Sequence, residues 1–461
     1  MTYKIIESPF GKYVYSRNAN RLIKMPENND SQSVEGYLSE QGFSTRNNLR
    51  KIRHPSSWMI EEILRGHVFN LILQVTQNCN LRCSYCAYSG NYYNRTHTTQ
   101  KMSYDVAKRA VDFLFEHSSE CEEIVIGFYG GEPLLEFDLV KRVVDYADHI
   151  GWGKNIQYVV TTNATLLKGE ILDFLVAHNF SVMVSFDGPK EVHDKNRKFI
   201  DGKGSFDLII NNLELVKERY PDFYKNIMTN TVLSPTEDYE CIKKFFEADT
   251  VIHALNSRLS LISAEDAKEP ITYGEHLSIS ESIEIVKILL YMLGKIHKES
   301  ISKIYLSQIN MITESFRNMD FDGLEGKVMA HPGGPCVPGK KRLFVDVNGD
   351  FHPCEKISEC AVGRIGSLSS GFDINAVLKI LNIAEITEDA CKNCWAFLWC
   401  NQCANASLQR NKLSSEIRLS KCSSSKSHAI NTFKTMIFLK EYGFDIERWK
   451  SDNAIDDFLR K

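Results

Sequence analysis

No stretch of the 461 residues approaches the run of roughly 18 apolar residues that spans a bilayer. The longest candidate, VKILLYMLGKI, is broken by Gly294 and interrupted by lysines. The N-terminus, MTYKIIESPFGKYVYSR, lacks the apolar core and small-residue cleavage site of a secretory signal. An excess of one charge is missing too: 55 Lys and Arg stand against 59 Asp and Glu, a formal charge of -4, which removes the electrostatic case for a nucleic-acid binder. No period of 20 to 50 residues recurs, so a solenoid is not supported. What remains is a chain 43% hydrophobic and 25% charged, a globular composition that excludes wholesale disorder, at a length suited to two or three domains. No membrane partner, no nucleic-acid partner and a cytoplasmic location are the expectations.

Cysteine is abundant, with thirteen in all and eight of them between Cys336 and Cys422. In a secreted protein that density would read as a disulfide framework; without a secretion signal, grouped thiols read as metal ligands. Residues 1–66 hold a hairpin pattern (YKIIESPFGKYVYSRNANRLIKM), a polar stretch from Glu27 to Ser33 and two short helical patterns ending near Arg65. Residues 67–277 alternate short buried-strand runs (NLILQVTQ, EIVIGFYGG, IQYVVTTNA, SVMVSFDG, KNIMTNTVLS and SRLSLIS) with amphipathic helical segments such as MSYDVAKRAVDFLFEHS, the pattern of an α/β barrel or a doubly wound parallel sheet. Residues 278–330 read as a helical connector with no strand partner. Pro332, Gly333, Gly334 and Pro335 mark a boundary, after which a cysteine-rich unit runs over 331–430 and a helical tail over 431–461. In KRLFVDVNGDFHPCEK, Asn348-Gly349 predicts a two-residue hairpin turn.

The first predicted strand runs into TQNCNLRCSYCAYSG, which sets Cys79, Cys83 and Cys86 in one loop. Three thiolates there suit a zinc or structural site, or three corners of a cubic iron-sulfur cluster whose fourth iron stays open. The next strand ends at Gly130-Gly131-Glu132. The two after it end in Thr162 and Asn163 and in Ser185 and Asp187, polar groups at the strand ends where barrel enzymes assemble their sites. Asp187-Gly188-Pro189 reads equally as a turn braced by His193, Asp194 and Arg197. In the C-terminal unit, Cys391, Cys394, Cys400 and Cys403 fall within thirteen residues, accompanied by Cys336, Cys354, Cys360 and Cys422. Thiolate-only sets bind zinc or iron-sulfur clusters, although zinc ribbons separate their cysteine pairs by a longer loop. Cys121 and Cys241 read as ordinary buried cysteines.

The Cys-x3-Cys-x2-Cys loop, with Tyr85 before its last cysteine, resembles the signature of the radical S-adenosylmethionine (SAM) enzymes. The C-terminal cysteines resemble their SPASM extension. The resemblance implies a partial (β/α)6 TIM-type barrel with a small N-terminal α+β region and a C-terminal cysteine-rich SPASM domain. It implies a [4Fe-4S] cluster on Cys79, Cys83 and Cys86 that reductively cleaves SAM to a 5′-deoxyadenosyl radical. It also implies two auxiliary [4Fe-4S] clusters: one on Cys391, Cys394, Cys400 and Cys422, the other on Cys336, Cys354 and Cys403, with Cys360 as a fourth ligand or the iron left open to a substrate thiolate. By the same analogy Gly130, Gly131 and Glu132 receive the methionine ammonium, Asn163 and Ser185 contact ribose or carboxylate, and Tyr85 and Asp187 lie on the cofactor side. Ala164 departs from relatives that often have Gly.

HPGGPCVPGKKRLFVDVNGDFHPCEK, CKNCWAFLWC and YSGNYYNRTH are similar to segments of maturases of small Cys-rich peptides, the thioether-forming sactipeptide and ranthipeptide type. That implies an oxidoreductase acting on a ribosomally made Cys-rich precursor, with a flavodoxin- or ferredoxin-type electron donor. An anaerobic sulfatase maturase and a carbon-carbon cross-linking maturase are the alternatives within the superfamily, and a zinc-stabilised binding protein is the alternative outside it. No catalytic acid or base is assigned. Residues 1–66 are read as a leader-peptide-binding segment or as a cap on the barrel.

Overall fold

The computed structural model describes residues 1–26, 33–151, 153–235, 237–248, 250–333 and 335–452. The predicted polar stretch from Glu27, all but Ser33, lies outside the described residues, as do Gly334 of the boundary motif and residues 453–461 of the predicted tail.

Strands β1 (Tyr3–Ser8), β2 (Gly11–Ser16) and β3 (Arg21–Lys24) form an antiparallel sheet, one strand more than the predicted hairpin. Six strands then run parallel and in sequential order: β4 (Asn70–Thr76), β5 (Glu123–Gly130), β6 (Asn155–Thr162), β7 (Ser181–Ser185), β8 (Met228–Leu233) and β9 (Asn256–Leu261). Parallel pairing needs a crossover after each strand, and helices supply it. Helix α1 (Tyr104–Glu116) starts where the Ser103 side chain accepts from the Val106 amide, and it buries Ala107, Ala110, Val111 and Leu114 at spacings of three and one. Helix α2 (Phe137–Ile150) buries Leu139, Val140, Val143, Val144 and Ala147 in the same manner. With helices outside, Leu71, Leu73 and Val75 of β4 lose all contact with water, each worth about 1.5–3 kcal/mol of burial. Among the described residues no helix is long and apolar enough to cross a membrane.

The sheet does not end at β4. Strand β10 (Leu343–Val345) pairs in parallel with Leu71–Leu73 and antiparallel with β11 (Asp350–His352), so the cysteine-rich segment continues the same ten-stranded sheet. The turn between β10 and β11 differs from the two-residue type: four residues connect the strands, and only Gly349 of the Asn-Gly pair is left-handed (φ +88°). The Asp346 carboxylate fixes the turn by accepting from the amides of Asn348 and Asp350. The connector carries helices α3 (Glu275–Met292) and α4 (Ser307–Asn318), but it does find a strand partner, because Met329–Ala330 pairs in parallel with Lys51–Ile52.

The N-terminal sheet is built onto the cysteine-rich segment. Tyr15 stacks on Phe433 of helix α5 (Cys422–Glu441) with centroids 4.4 Å apart. The fully buried Arg17 donates through Nη1 to the carbonyls of Lys392 (2.7 Å) and Cys394 (3.2 Å), and through Nη2 to Asn47 (2.9 Å). The Met1 ammonium donates to the Asn393 carbonyl, and Asn47 to the Lys392 carbonyl. Arg17 therefore clamps the backbone of the Cys391–Cys394 turn. Arg17→Ala removes a buried cation and strands three acceptors, and is expected to cost about 3 kcal/mol of stability. An unchanged urea midpoint would contradict the clamp.

Candidate functional site

The loop Gln77–Cys86 leaves the carboxyl end of β4 and is held by the strand-end turn of β5. The Gly131 amide donates to the Thr76 carbonyl (2.8 Å) and the Glu132 amide to the Asn78 carbonyl (2.9 Å). This approach is possible only without side chains: a Cβ on Gly130 would lie 2.1 Å from the Thr76 oxygen, and one on Gly131 would lie 2.0 Å from the Asn78 oxygen. The two glycines are thus required by the cysteine loop itself.

Cys79, Cys83 and Cys86 face one cavity of about 690 Å³. Burial pushes the Cys79 thiol up to about 12 and Cys83 up to about 11, with the Arg197 cation pulling Cys83 back down; Cys86 is also raised by burial. The three lie close enough that ionising one disfavours the next. Buried thiols that repel one another as anions become thiolates only beside added positive charge, which a bound iron cluster supplies, so the donor set fits that group. Amides are aimed at two of the sulfurs, Leu81 N to Cys79 Sγ (3.3 Å) and Tyr88 N to Cys86 Sγ (3.4 Å).

The strand-end residues divide into two groups. Gly130, Gly131, Thr162, Asn163, Ser185 and Tyr85 line the cavity with the thiols. Asn163 donates to Asn80 (2.8 Å) and reaches Cys79 Sγ at 3.7 Å. Glu132 and Asp187 are not among the residues that line the cavity; both are buried and hydrogen-bonded at the strand ends. Glu132 is 1% exposed, and its carboxylate accepts from Thr162 Oγ1 (2.7 Å) and from the amides of Asn163 (2.7 Å) and Leu134 (3.0 Å). Burial pushes it up to about 7 against the pull of those donors. Asp187 is fully buried, takes the Arg197 fork on both oxygens (2.9 Å each), and accepts from the Val232 amide and the Tyr85 hydroxyl. Tyr85 is thereby tied down beside Cys83 and Cys86. Ala164 takes φ +59°, a left-handed conformation that glycine would adopt without cost.

His193 completes this brace. Its Nδ1 accepts from the Asp187 amide (3.3 Å), and its Nε2 contacts Ser205 Oγ, which donates to the Arg197 carbonyl. The imidazole is therefore neutral, and burial pushes its pKa down to about 3, with Arg197 acting in the same direction. An unfolded histidine protonates near 6.5, so below that pH the unfolded chain binds more protons and stability falls with pH at up to about 1.4 kcal/mol per unit. Burial pushes His331 down to about 4, which adds to the same slope, while Glu132, pushed up to about 7, opposes it in part. Urea midpoints are expected to drop from pH 7.5 to 5.5, and His193→Gln should reduce that drop; an unreduced slope would contradict the assignment.

The C-terminal thiols fall into two neighbourhoods. Cys394 and Cys400 interact with Cys391, and Cys394 also interacts with Cys422. Cys354 interacts with Cys403, and Arg342 lies near both Cys354 and Cys336. Cys360 is 9% exposed and packed in the apolar core, with Asp266 and Arg95 as charged neighbours. Among the described residues no three Cys, His, Asp or Glu side chains are drawn together tightly enough to hold a single metal ion. Cys403 and Glu355 line the same cavity as the first three cysteines. Sequence reasoning missed Arg95 and Glu355, which carry no spacing signal and line the cavity through the tertiary fold.

Residues 73–248 match the family profile described as the radical SAM superfamily. An uncharacterized protein of Methanocaldococcus jannaschii is 33% identical over 227 residues, covering 49% of this chain and 71% of the relative. The cysteine-type anaerobic sulfatase-maturating enzyme of Clostridium novyi is 32% identical over 180 residues, covering 38% of this chain and 47% of the enzyme, less than half its length. Among solved structures, native anSMEcpe with bound AdoMet and Kp18Cys peptide superposes with a TM-score of 0.60 over 81% of this chain and 99% of that one, at 18% identity, a likeness of fold. With its α/β fold, and with the [4Fe-4S] cluster and SAM that this fold implies, the chain belongs to the radical SAM superfamily and is an enzyme of that superfamily related to anaerobic sulfatase maturases.

Proposed function

We propose that this enzyme oxidatively modifies a cysteine-containing peptide in the cavity between the partial barrel and a SPASM-type auxiliary domain. One observation carries the reading: the cavity that holds Cys79, Cys83 and Cys86 is also lined by Cys403, so a single substrate can face both cysteine sites. In this reading Cys79, Cys83 and Cys86 hold a [4Fe-4S] cluster, Cys391, Cys394, Cys400 and Cys422 hold a second, and Cys336, Cys354 and Cys403 hold a third. When bound, the first cluster offers an open iron to SAM and the electron that cleaves its sulfonium to a 5′-deoxyadenosyl radical.

The chain's own residues bind, orient and exclude water. The strand-end backbone at Gly130 and Gly131 and the side chains of Asn163 and Ser185 form the wall beside the first three cysteines, where SAM would lie. Tyr85, fixed by Asp187, together with Tyr92 and Tyr129, walls the cavity with aromatic surface. A flavodoxin- or ferredoxin-type protein supplies the electron. Thioether formation on a Cys-rich precursor is the finer reading, supported by a site of three cysteines that leaves room for a substrate thiolate. Conversion of the sulfatase-maturase type is the second reading, supported by the names of the relatives.

The test uses anaerobic enzyme, SAM, reductant and the peptide encoded by a short Cys-rich reading frame beside the gene. A product that has lost two hydrogens together with thiol titre supports the thioether reading. Loss of sulfur with gain of an aldehyde selects the second reading. Colourless protein containing zinc would overturn both.

A further inference from the structure

Arg95 lies nine residues beyond Cys86, and its side chain is only 8% exposed. Its Nη2 donates to the carbonyls of Glu355 (2.8 Å) and Ile357 (2.6 Å), in the loop that follows Cys354. Its Nε lies 3.1 Å from Glu359 Oε1, and its guanidinium sits 5.7 Å from the Tyr88 ring centroid. Glu359 in turn accepts from Gln74 of β4 (2.9 Å) and from the Tyr88 hydroxyl (3.1 Å). Both Cys86 and Cys354 lie within electrostatic reach of the guanidinium. Two buried carbonyls and a buried carboxylate converging on one cation are an expensive arrangement to leave incomplete, and this one joins two loops that are some 270 residues apart in sequence.

We propose that Arg95 is a positioning residue shared by the two cysteine sites, tying the loop after Cys354 to the loop of Cys79, Cys83 and Cys86 and placing one buried positive charge between them. The proposal rests on the reading that Cys336, Cys354 and Cys403 hold an auxiliary cluster. The fork of the guanidinium sets the spacing of the sites. Its charge, offset only in part by Glu359, favours the reduced and more negative form of either cluster.

The experiment compares the anaerobically reconstituted full chain with Arg95→Gln, Arg95→Lys and Glu359→Gln. Arg95→Gln is expected to shift the reduction equilibrium of the cluster on the Cys354 side at least tenfold toward the oxidised form, a fall of about 59 mV for a one-electron couple, and to lose amide-exchange protection at 354–359. Arg95→Lys should keep the potential, because the charge remains, while losing protection, because the fork does not. Glu359→Gln should shift the equilibrium toward the reduced form, and it supplies the test if Arg95→Gln does not accumulate. A potential in Arg95→Gln equal to the parent's overturns the role of the charge, and equal exchange at 354–359 overturns the tie. Iron content in Cys354→Ala/Cys403→Ala equal to the parent's would instead overturn the auxiliary-cluster reading, and with it the charge effect, leaving the tie to be decided by exchange.

Discussion

Cys83→Ala is expected to abolish 5′-deoxyadenosine formation from SAM and to remove one cluster's worth of iron, about four of the ten to twelve per chain that three cubic clusters would hold. A cluster on three protein thiolates has no spare ligand, and Cys403, which lines the same cavity, is read as a ligand of another cluster. The loss should therefore exceed the roughly 10- to 100-fold that follows removal of a residue that only orients a ligand. Removing the thiol also leaves Arg197, whose charge acts on Cys83, with Asp187 as its remaining close anion, so the brace survives and the variant should fold. Cys394→Ala is the control. Its thiol belongs to the other group of cysteines, on the turn that Arg17 holds, and the variant is expected to retain SAM cleavage. Measuring 5′-deoxyadenosine and iron together decides the matter, and wild-type amounts of both in Cys83→Ala would refute the assignment of this loop.

The parts of this arrangement that could be read in the sequence were those with a local signature. β-Branched runs separated by amphipathic segments announce a parallel sheet because each strand is buried on both faces and each helix on one. Three cysteines in one loop announce themselves by spacing. What was not legible depends on pairings between distant segments. A three-residue strand such as Leu343–Val345 has too little pattern to reveal that it joins β4 rather than forming a separate sheet. Glu132 and Asp187 are placed on the cofactor side by the family resemblance, and their hydrogen-bond partners carry no sequence signal. Their donors, the amides of Asn163 and Val232, come from neighbouring strand ends. Arg17 and Arg95 look in sequence like ordinary solvated cations; only the fold shows that each closes a loop bearing cysteines.

Gly131→Ala is expected to cost roughly 3 kcal/mol or more and to prevent the first cluster from being retained, although the residue contributes no side chain to any site. The reason is purely steric. A Cβ there falls 2.0 Å from the oxygen and 2.5 Å from the carbon of the Asn78 carbonyl, both of which are backbone and cannot swing aside. Relief requires the Asn78 peptide to move outward by about an ångström or more, since carbon and oxygen pack no closer than about 3 Å. That motion breaks the Glu132 amide bond to Asn78 and displaces Cys79, the next residue, from its position against Asn163. It also loosens Glu132, whose carboxylate ties β5 to the end of β6. Gly202→Ala separates this from a general intolerance of alanine. Gly202 is left-handed (φ +86°) with nothing within 4 Å of a new Cβ, so it should show only the conformational cost of about 1–2 kcal/mol and keep its full iron. Urea midpoints and iron content measured on both variants test the contrast. If Gly131→Ala matches Gly202→Ala in both, the glycines are not what brings the turn after β5 against the cysteine loop.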